Sequence, residues 1–405
     1  MLLCKAYESR HQSLTDHALM LQRNRGMSVR KQSIHSRFTG PAVRFVRRVL
    51  DEQLKSRPLI NNTTIFKPFS KVFVQDATKF SLPSHLQKDY PGYGGCAPNS
   101  AGQVQFTYEL KNQQIYQADL YAATRNECLS ATANSWIEQG ALILRDLGYF
   151  SIEGFKEIIA KGAYFISRAK PKTSFFKLDN PNERVHLKQL VHKMTQSKTH
   201  YHEQTLIMGW EKSKKLKVRV IICKVPDPVR EQRLRKAYKN AKQRNWTVKD
   251  QYKLWAAINV FITNVSNQQI SAPNIPLAYK LRWQIELIFK TWKSHYKIHL
   301  HKAVCKQRIE CYLYASLLLI ILQNCIFSWL QHLFARQQVW LSMHKFSKIM
   351  YLVKDLFHQA ITTDNNKFNQ LVSLLLALAK PALIREKKKG KIGFKDIISH
   401  NLCVY

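Results

Sequence analysis

Negative charge is scarce in this chain. Of its 405 residues, 26 are Asp or Glu and 64 are Lys or Arg, a formal net charge of +38 at pH 7. The cations are spread along the whole length rather than gathered into one run. A field of that sign draws polyanions, so nucleic acid is the first partner to consider and an anionic membrane surface the second. No two of the eight cysteines form a Cys-x-x-Cys pair. Their spacing fits neither a zinc site nor a small disulfide framework, and a reducing compartment fits best. His200 and His202, like His295, His299 and His301, lack cysteines or carboxylates at ligand spacing and read as ordinary surface histidines. The P-loop pattern G-x-x-x-x-G-K-[ST] is missing, so no ATP chemistry is expected. No sustained apolar core follows the opening MLLCKAYESR, so no secretory signal is expected either.

Long apolar runs are few. Residues 311–333 are nearly long enough to span a bilayer. Gln323, Asn324 and Gln331 interrupt them, and the flanks are no different in charge from the rest of the chain. A buried helix of a large domain is the expectation, with no membrane association. The run at 371–384 is shorter still and is broken by Pro381. At 45% hydrophobic residues the chain can bury a sizeable core. Its length suggests two or three domains.

What is present begins with residues 279–293, YKLRWQIELIFKTWK. Taken as one α-helix at about 100° per residue, Tyr279, Arg282, Glu286 and Lys293 fall on one stripe roughly 60° wide. Lys290 shares it. Leu281, Ile285, Ile288, Phe289 and Trp292 fall on a separate apolar face. One acid among cations and a phenol suits a metal-phosphate site. The plainer reading is a solvated face in which Glu286 and Lys290 form an ordinary ion pair.

The remaining segments decide between these readings. A strand at 71–76 ends in Asp76, and two more are expected at 103–110 and 114–122. A helix is expected over 126–139, closed by Gly140. The strand ALILRD ends in Asp146, followed by a helix at 152–161 and a strand at 163–168. Strand, strand, strand, helix, strand, helix, strand is the order of a ribonuclease-H-like core, an α/β fold with a mixed sheet. In a right-handed crossover arrangement, the strand ends carrying Asp76 and Asp146 lie side by side. Residues 171–265 read as an inserted, β-rich subdomain, with strands at 205–210, 217–225 and 256–265 around a basic helix at 228–245. The 279–293 helix then supplies the closing element. Before the core, residues 1–68 read as a helical DNA-binding region in which Arg44, Arg47 and Arg48 lie close together. A helical arm that only packs on the core is the alternative.

These residues resemble the transposases of bacterial insertion sequences, in the group whose last acidic motif is spaced Y-x2-R-x3-E-x6-K. Tyr279, Arg282, Glu286 and Lys293 match it. The second motif of the group, D-x-G-Y/F, is matched by Asp146, Gly148 and Tyr149. The first acid is followed by a small residue and a threonine, here Asp76, Ala77 and Thr78. The run FITNV at 261–265 is similar to the segment preceding the last helix, and the resemblance covers residues 35–300. Ala77 stands where Gly or Ser is usual. Leu147 often gives way to Arg, so no phosphate contact is expected there.

The resemblance implies a DNA transposase. It would cleave element ends and join a 3′-OH to target DNA. Asp76, Asp146 and Glu286 would be its catalytic carboxylates and would hold two Mg²⁺ (or Mn²⁺) ions. Tyr279, Arg282 and Lys293, joined by Lys290, would bind DNA phosphates. The implied partner is double-stranded DNA, both terminal inverted repeats and target, with a homodimer bridging two ends. A cytoplasmic, nucleoid-associated location follows. The expected divisions are a helical region at 1–68, core at 69–170, insertion at 171–265, closing core helix and its successor at 266–345, and a helical region at 346–405. Trp246 and Trp255 are core residues or stack on an unpaired base. The alternatives are another metal nuclease on the same fold and an inactive or domesticated transposase-derived DNA-binding protein.

Overall fold

Three consecutive apolar residues, Val72, Phe73 and Val74, are fully buried at the head of strand β1 (Val72–Ser81). Leu142, Ile143 and Leu144 are likewise fully buried in β4 (Leu142–Arg145). Strands covered on both faces read as unbroken apolar runs, and those runs pair in parallel. The computed structural model describes residues 13–56, 66–126, 134–209, 215–300, 305–335, 337, 339–362 and 365–386. The other strands are β2 (Ala101–Glu109), β3 (Gln114–Ala122), β5 (Tyr164–Arg168), β6 (Phe175–Phe176), β7 (Tyr201–Met208), β8 (Leu216–Lys224) and β9 (Ile258–Thr263). They form a nine-stranded mixed sheet in the order β3-β2-β1-β4-β5-β9-β8-β7-β6. β4 and β5 are parallel, whereas β5, β9, β8, β7 and β6 pair antiparallel in succession.

The chain divides into two compact units. The first holds residues 1–63, 76–126 and 283–393, and the second holds 64–75, 127–282 and 394–405. In the second unit, the helices Ile152–Ala160 and Ile275–Lys280 pack on β5. The strands expected within 171–265 are present, and they extend the sheet outward from β5 rather than forming one apart. The region also holds more helix than its composition suggested, with Leu187–Gln196, Asp227–Arg244 and Asp250–Ala256. Arg219 on β8 is built into it. Its guanidinium donates to Glu203, to the carbonyls of Val265 and Ile270, and to Asn267.

The helix expected over 126–139 is not formed at its described end, where 134–136 is a turn, and 127–133 lie outside the described residues. Asn134 explains the turn. Its side chain accepts from Arg145 and donates to Glu157, and its carbonyl accepts from the Ile137 amide at 3.2 Å. An asparagine held by such bonds favours a turn over a helix interior.

In the first unit, the helix Lys306–Ala335 packs against Gly40–Lys55 and β3. It is long and apolar enough to cross a membrane, yet 72% of its most apolar window is buried inside the protein. Its polar interruptions are partly satisfied internally, while Gln323 Nε2 and Asn324 Oδ1 are buried without hydrogen-bond partners. Asn324 and Ser328 both donate to the Gln113 carbonyl, at 2.7 and 2.8 Å. Gln331 donates to the Val339 carbonyl and accepts the Leu341 amide. Buried amides and hydroxyls need such partners, and here they link the helix to a hairpin turn and to the chain that follows it.

Candidate active site

Gln75 on β1 and Arg145 on β4 are register partners on parallel neighbours. Each immediately precedes one of the predicted acids, Asp76 and Asp146. Arg145 is buried and anchored. It donates to Asn134, and its guanidinium lies 5.7 Å from the Trp136 ring and 5.6 Å from that of Tyr149. Successive side chains of an extended strand point to opposite faces. Fixing Arg145 on one face therefore directs Asp146 to the other, where its carboxylate is 46% exposed.

Asp146 faces a cation there. Its Oδ1 lies 3.6 Å from Nε of Arg282, whose side chain is only 14% exposed. The Arg282 guanidinium also sits 5.9 Å from the centre of the Tyr279 ring, which packs edge-on against Phe261. The Tyr279 hydroxyl is buried without a hydrogen-bond partner. Burial pushes this phenol up to about 12, with the Asp146 charge acting in the same direction against Arg282 and Arg168. At neutral pH it is a donor. Arg168, at the end of β5, was not among the residues selected from the sequence, where it reads only as the last residue of a strand. Its Nε is buried without a hydrogen-bond partner.

The segment read as one helix is in fact three pieces. Ile275–Lys280 is α-helical, Trp283–Thr291 is α-helical, and Trp292–Tyr296 is a π-helical turn ended by Lys297 at φ 49°. Between the first two, the amides of Leu281 and Arg282 bond to the carbonyls of Ala278 and Tyr279, three residues back. Such bonds turn the chain by more than 100° per residue, so the segment is not one regular α-helix. Tyr279 and Arg282 belong to the second unit, whereas Glu286, Lys290 and Lys293 belong to the first.

Within the first unit, Asp76 is half-buried and accepts the Ala77 amide at 2.8 Å. Glu286 is half-buried in the first turn of its helix. Ile285, Ile288, Phe289 and Trp292 are buried as expected, with Phe289 and Trp292 packed on Phe106 of β2. Lys290 is exposed, and Lys293 Nζ donates to the Lys79 carbonyl at 3.3 Å. Among the described residues, no group of three or more His, Cys, Asp or Glu is gathered so that it could hold a metal ion.

The sequence matches the transposase DDE domain over residues 67–322, well over half of the chain. The chain belongs to the DDE transposase family. Its relatives include the transposases for insertion sequence elements IS231B of Bacillus thuringiensis subsp. berliner and IS231D of Bacillus thuringiensis subsp. finitimus. The first is 29% identical over 378 residues, covering 87% of this chain and 77% of the relative. The second is 30% identical over 379 residues, covering 88% and 78%. The transposase for IS1151 of Clostridium perfringens is 31% identical over 318 residues, covering 73% and 66%. The likeness to the IS231 proteins thus extends beyond the matched domain. This transposase is a DNA-cleaving and strand-transferring enzyme, and its family generally uses divalent metal ions.

Two basic helices of the transposase sort into internal and exposed cations. On Gly40–Lys55, Arg47 donates to Asp51, Asp119 and the Ala118 carbonyl, and its guanidinium is 5.5 Å from the Tyr314 ring. Burial opposes its charge, but the hydrogen bonds and charges of Asp51 and Asp119 outweigh that and raise its pKa. Arg44 and Arg48 are exposed. On Asp227–Arg244, Arg233 donates to the Ala256 and Ile258 carbonyls and to Asn259, whereas Arg230, Lys236, Lys239, Lys242 and Arg244 are exposed. Trp255 is a core residue, and Trp246 is 44% exposed.

Proposed function

We propose that Asp76, Asp146 and Glu286 together hold two divalent ions, Mg²⁺ or Mn²⁺, with which the transposase cuts at its element's terminal inverted repeats and joins the 3′-OH to target DNA. The observation that carries this reading is the pairing of Gln75 with Arg145 on parallel strands, each followed by an acid. The order β3-β2-β1-β4-β5 also supports a ribonuclease-H-like core. The donor set fits. All three groups are half-buried carboxylates. Mg²⁺ takes oxygen ligands, retains waters and is completed by substrate phosphate oxygens rather than by an all-protein cage. When bound, the two ions activate the attacking oxygen and stabilise the leaving one.

The chain's own residues bind and orient the DNA. Tyr279 donates its unpartnered hydroxyl to a phosphate oxygen, and Arg282 offers a planar fork to the same group. Lys293 and Lys290 supply point charges, and Arg168 reinforces the positive field. Arg44, Arg48 and the exposed cations of Asp227–Arg244 follow the backbone of double-stranded DNA, in a homodimer that bridges two ends at the nucleoid. The helical region up to residue 68 and the β-rich insertion at 171–265 serve this binding, and the core residues serve the chemistry.

The test is a Mg²⁺-dependent nicking assay on a labelled element end. Glu286→Gln is expected to lower cutting by about 10²–10³-fold, the scale of losing one preorganised charge-stabilising group. Gel-shift affinity for the same end should stay within about threefold, well under the tenfold that 1.4 kcal/mol represents. Cleavage that survives the substitution overturns the assignment of Glu286.

A further inference from the structure

We propose that Arg282 occupies Asp146 as a stand-in cation until a DNA phosphate draws it away, so that Asp146 becomes available to metal only once DNA is bound. This rests on the reading of Asp146 as a metal ligand. The pair joins two residues with opposite assignments, one for a cation and one for a phosphate. In the DNA-free chain they face each other instead, Nε to Oδ1 at 3.6 Å. Arg282 is mostly buried, so its charge is poorly screened by solvent and favours an anion close by.

Three features make the arrangement exchangeable. At 3.6 Å the Nε contact is an ion pair too long to be a hydrogen bond, so it is weakly directional. Two guanidinium charges, those of Arg282 and Arg168, also act on the Tyr279 phenol against the charge of Asp146. A dication placed at Asp146 would meet the Arg282 charge, which opposes it until an anion draws the guanidinium away. Finally, the buried Tyr279 hydroxyl has no acceptor. A phosphate would supply that acceptor with one oxygen and can take the Arg282 fork bidentately. One incoming group thus satisfies the phenol, takes the guanidinium and leaves the Asp146 carboxylate without its cation.

The exchange is read as Mn²⁺ affinity by electron paramagnetic resonance of the free ion, on the full chain, with and without a duplex carrying the element end. Wild type should bind Mn²⁺ at least about tenfold more tightly with DNA than without it. Arg282→Gln should bind Mn²⁺ about tenfold more tightly than wild type in the absence of DNA, because the competing charge is gone. Arg282→Lys keeps the charge and should stay near wild type. Thermal melts establish that each variant is folded. DNA-free affinity that is unchanged or weaker in Arg282→Gln, or equally raised in Arg282→Lys, overturns the exchange. Asp146→Asn separates this from failure of the underlying site. If it weakens Mn²⁺ binding in the DNA complex while Arg282→Gln does nothing in DNA-free protein, only the exchange is wrong. If Asp146→Asn changes Mn²⁺ binding in neither state, the metal assignment itself is wrong.

Discussion

Tyr279 illustrates what one side chain contributes before any substrate is present. Its hydroxyl is buried and unpartnered, an arrangement that costs stability in the free protein and is restored only by an incoming acceptor. Tyr279→Phe should therefore leave DNA-free stability unchanged or raise it by up to about 1 kcal/mol in urea denaturation. The same variant should bind an element end about tenfold more weakly, the loss of one hydrogen bond to a charged group. A variant that is clearly less stable and binds DNA normally would mark the hydroxyl as structural. The motif spacing made Tyr279 and Arg282 visible in the sequence. It could not reveal that Arg282 meets Asp146, because the two lie far apart in the chain. Nor could it distinguish Arg47, held by Asp51 and Asp119, from the exposed Arg44 and Arg48 on the same helix.

Among the elements, the broken helical segment at 275–296 has the most consequence. Its π-helical turn carries Lys293 and His295, and the His295 ring lies 4.7 Å from that of His344 on the helix Met343–Leu352. Thr291 Oγ1 approaches His344 Nδ1 at 3.4 Å. Burial lowers the pKa of His295, with His344, Lys297 and Lys348 adding to it. Burial likewise lowers His344, with Lys290 and Lys348 adding. The folded pair resists protons that the unfolded chain accepts. Its stability contribution is therefore complete above about pH 6.5 and is lost progressively as the pH falls below it. Melting temperature should be level between about pH 7 and 8 and decline toward about pH 5, and His344→Gln should flatten the decline. An equally steep decline in that variant would exclude the pair as its source. β1, β4 and β5 were legible as strands because burial on both faces leaves continuous apolar runs. The break at 281–282 was not, because a change from i→i+4 to i→i+3 bonding leaves the local hydrophobic pattern intact.

For the whole molecule, the surplus of 38 positive charges is the dominant property. Binding to duplex DNA of any sequence should weaken steeply with salt. If six or more phosphates are contacted, affinity measured by anisotropy of a labelled duplex should fall by about 10³-fold or more between about 50 and 200 mM salt. A shallow dependence would mean that most of this charge faces away from DNA. Internal arginines should not contribute to that slope. Arg145, Arg219 and Arg233 are held by protein carbonyls, amides or carboxylates, and replacing them should affect folding first. The apolar length of Lys306–Ala335 likewise belongs to the interior, where Asn324, Ser328 and Gln331 have partners that a lipid environment would not provide.

Where the buried strands run, which acids follow them, which face of 283–291 is apolar and the motif that marks the family are all legible in the order of the residues. These are local properties, written in period and spacing over a few residues. Tertiary structure alone decided that the strands of 171–265 continue the sheet outward from β5, that the closing segment is three pieces, and which cations are internal. Strand neighbours and ion-pair partners are contributed by segments far apart in the chain, and no local pattern encodes which distant group will arrive.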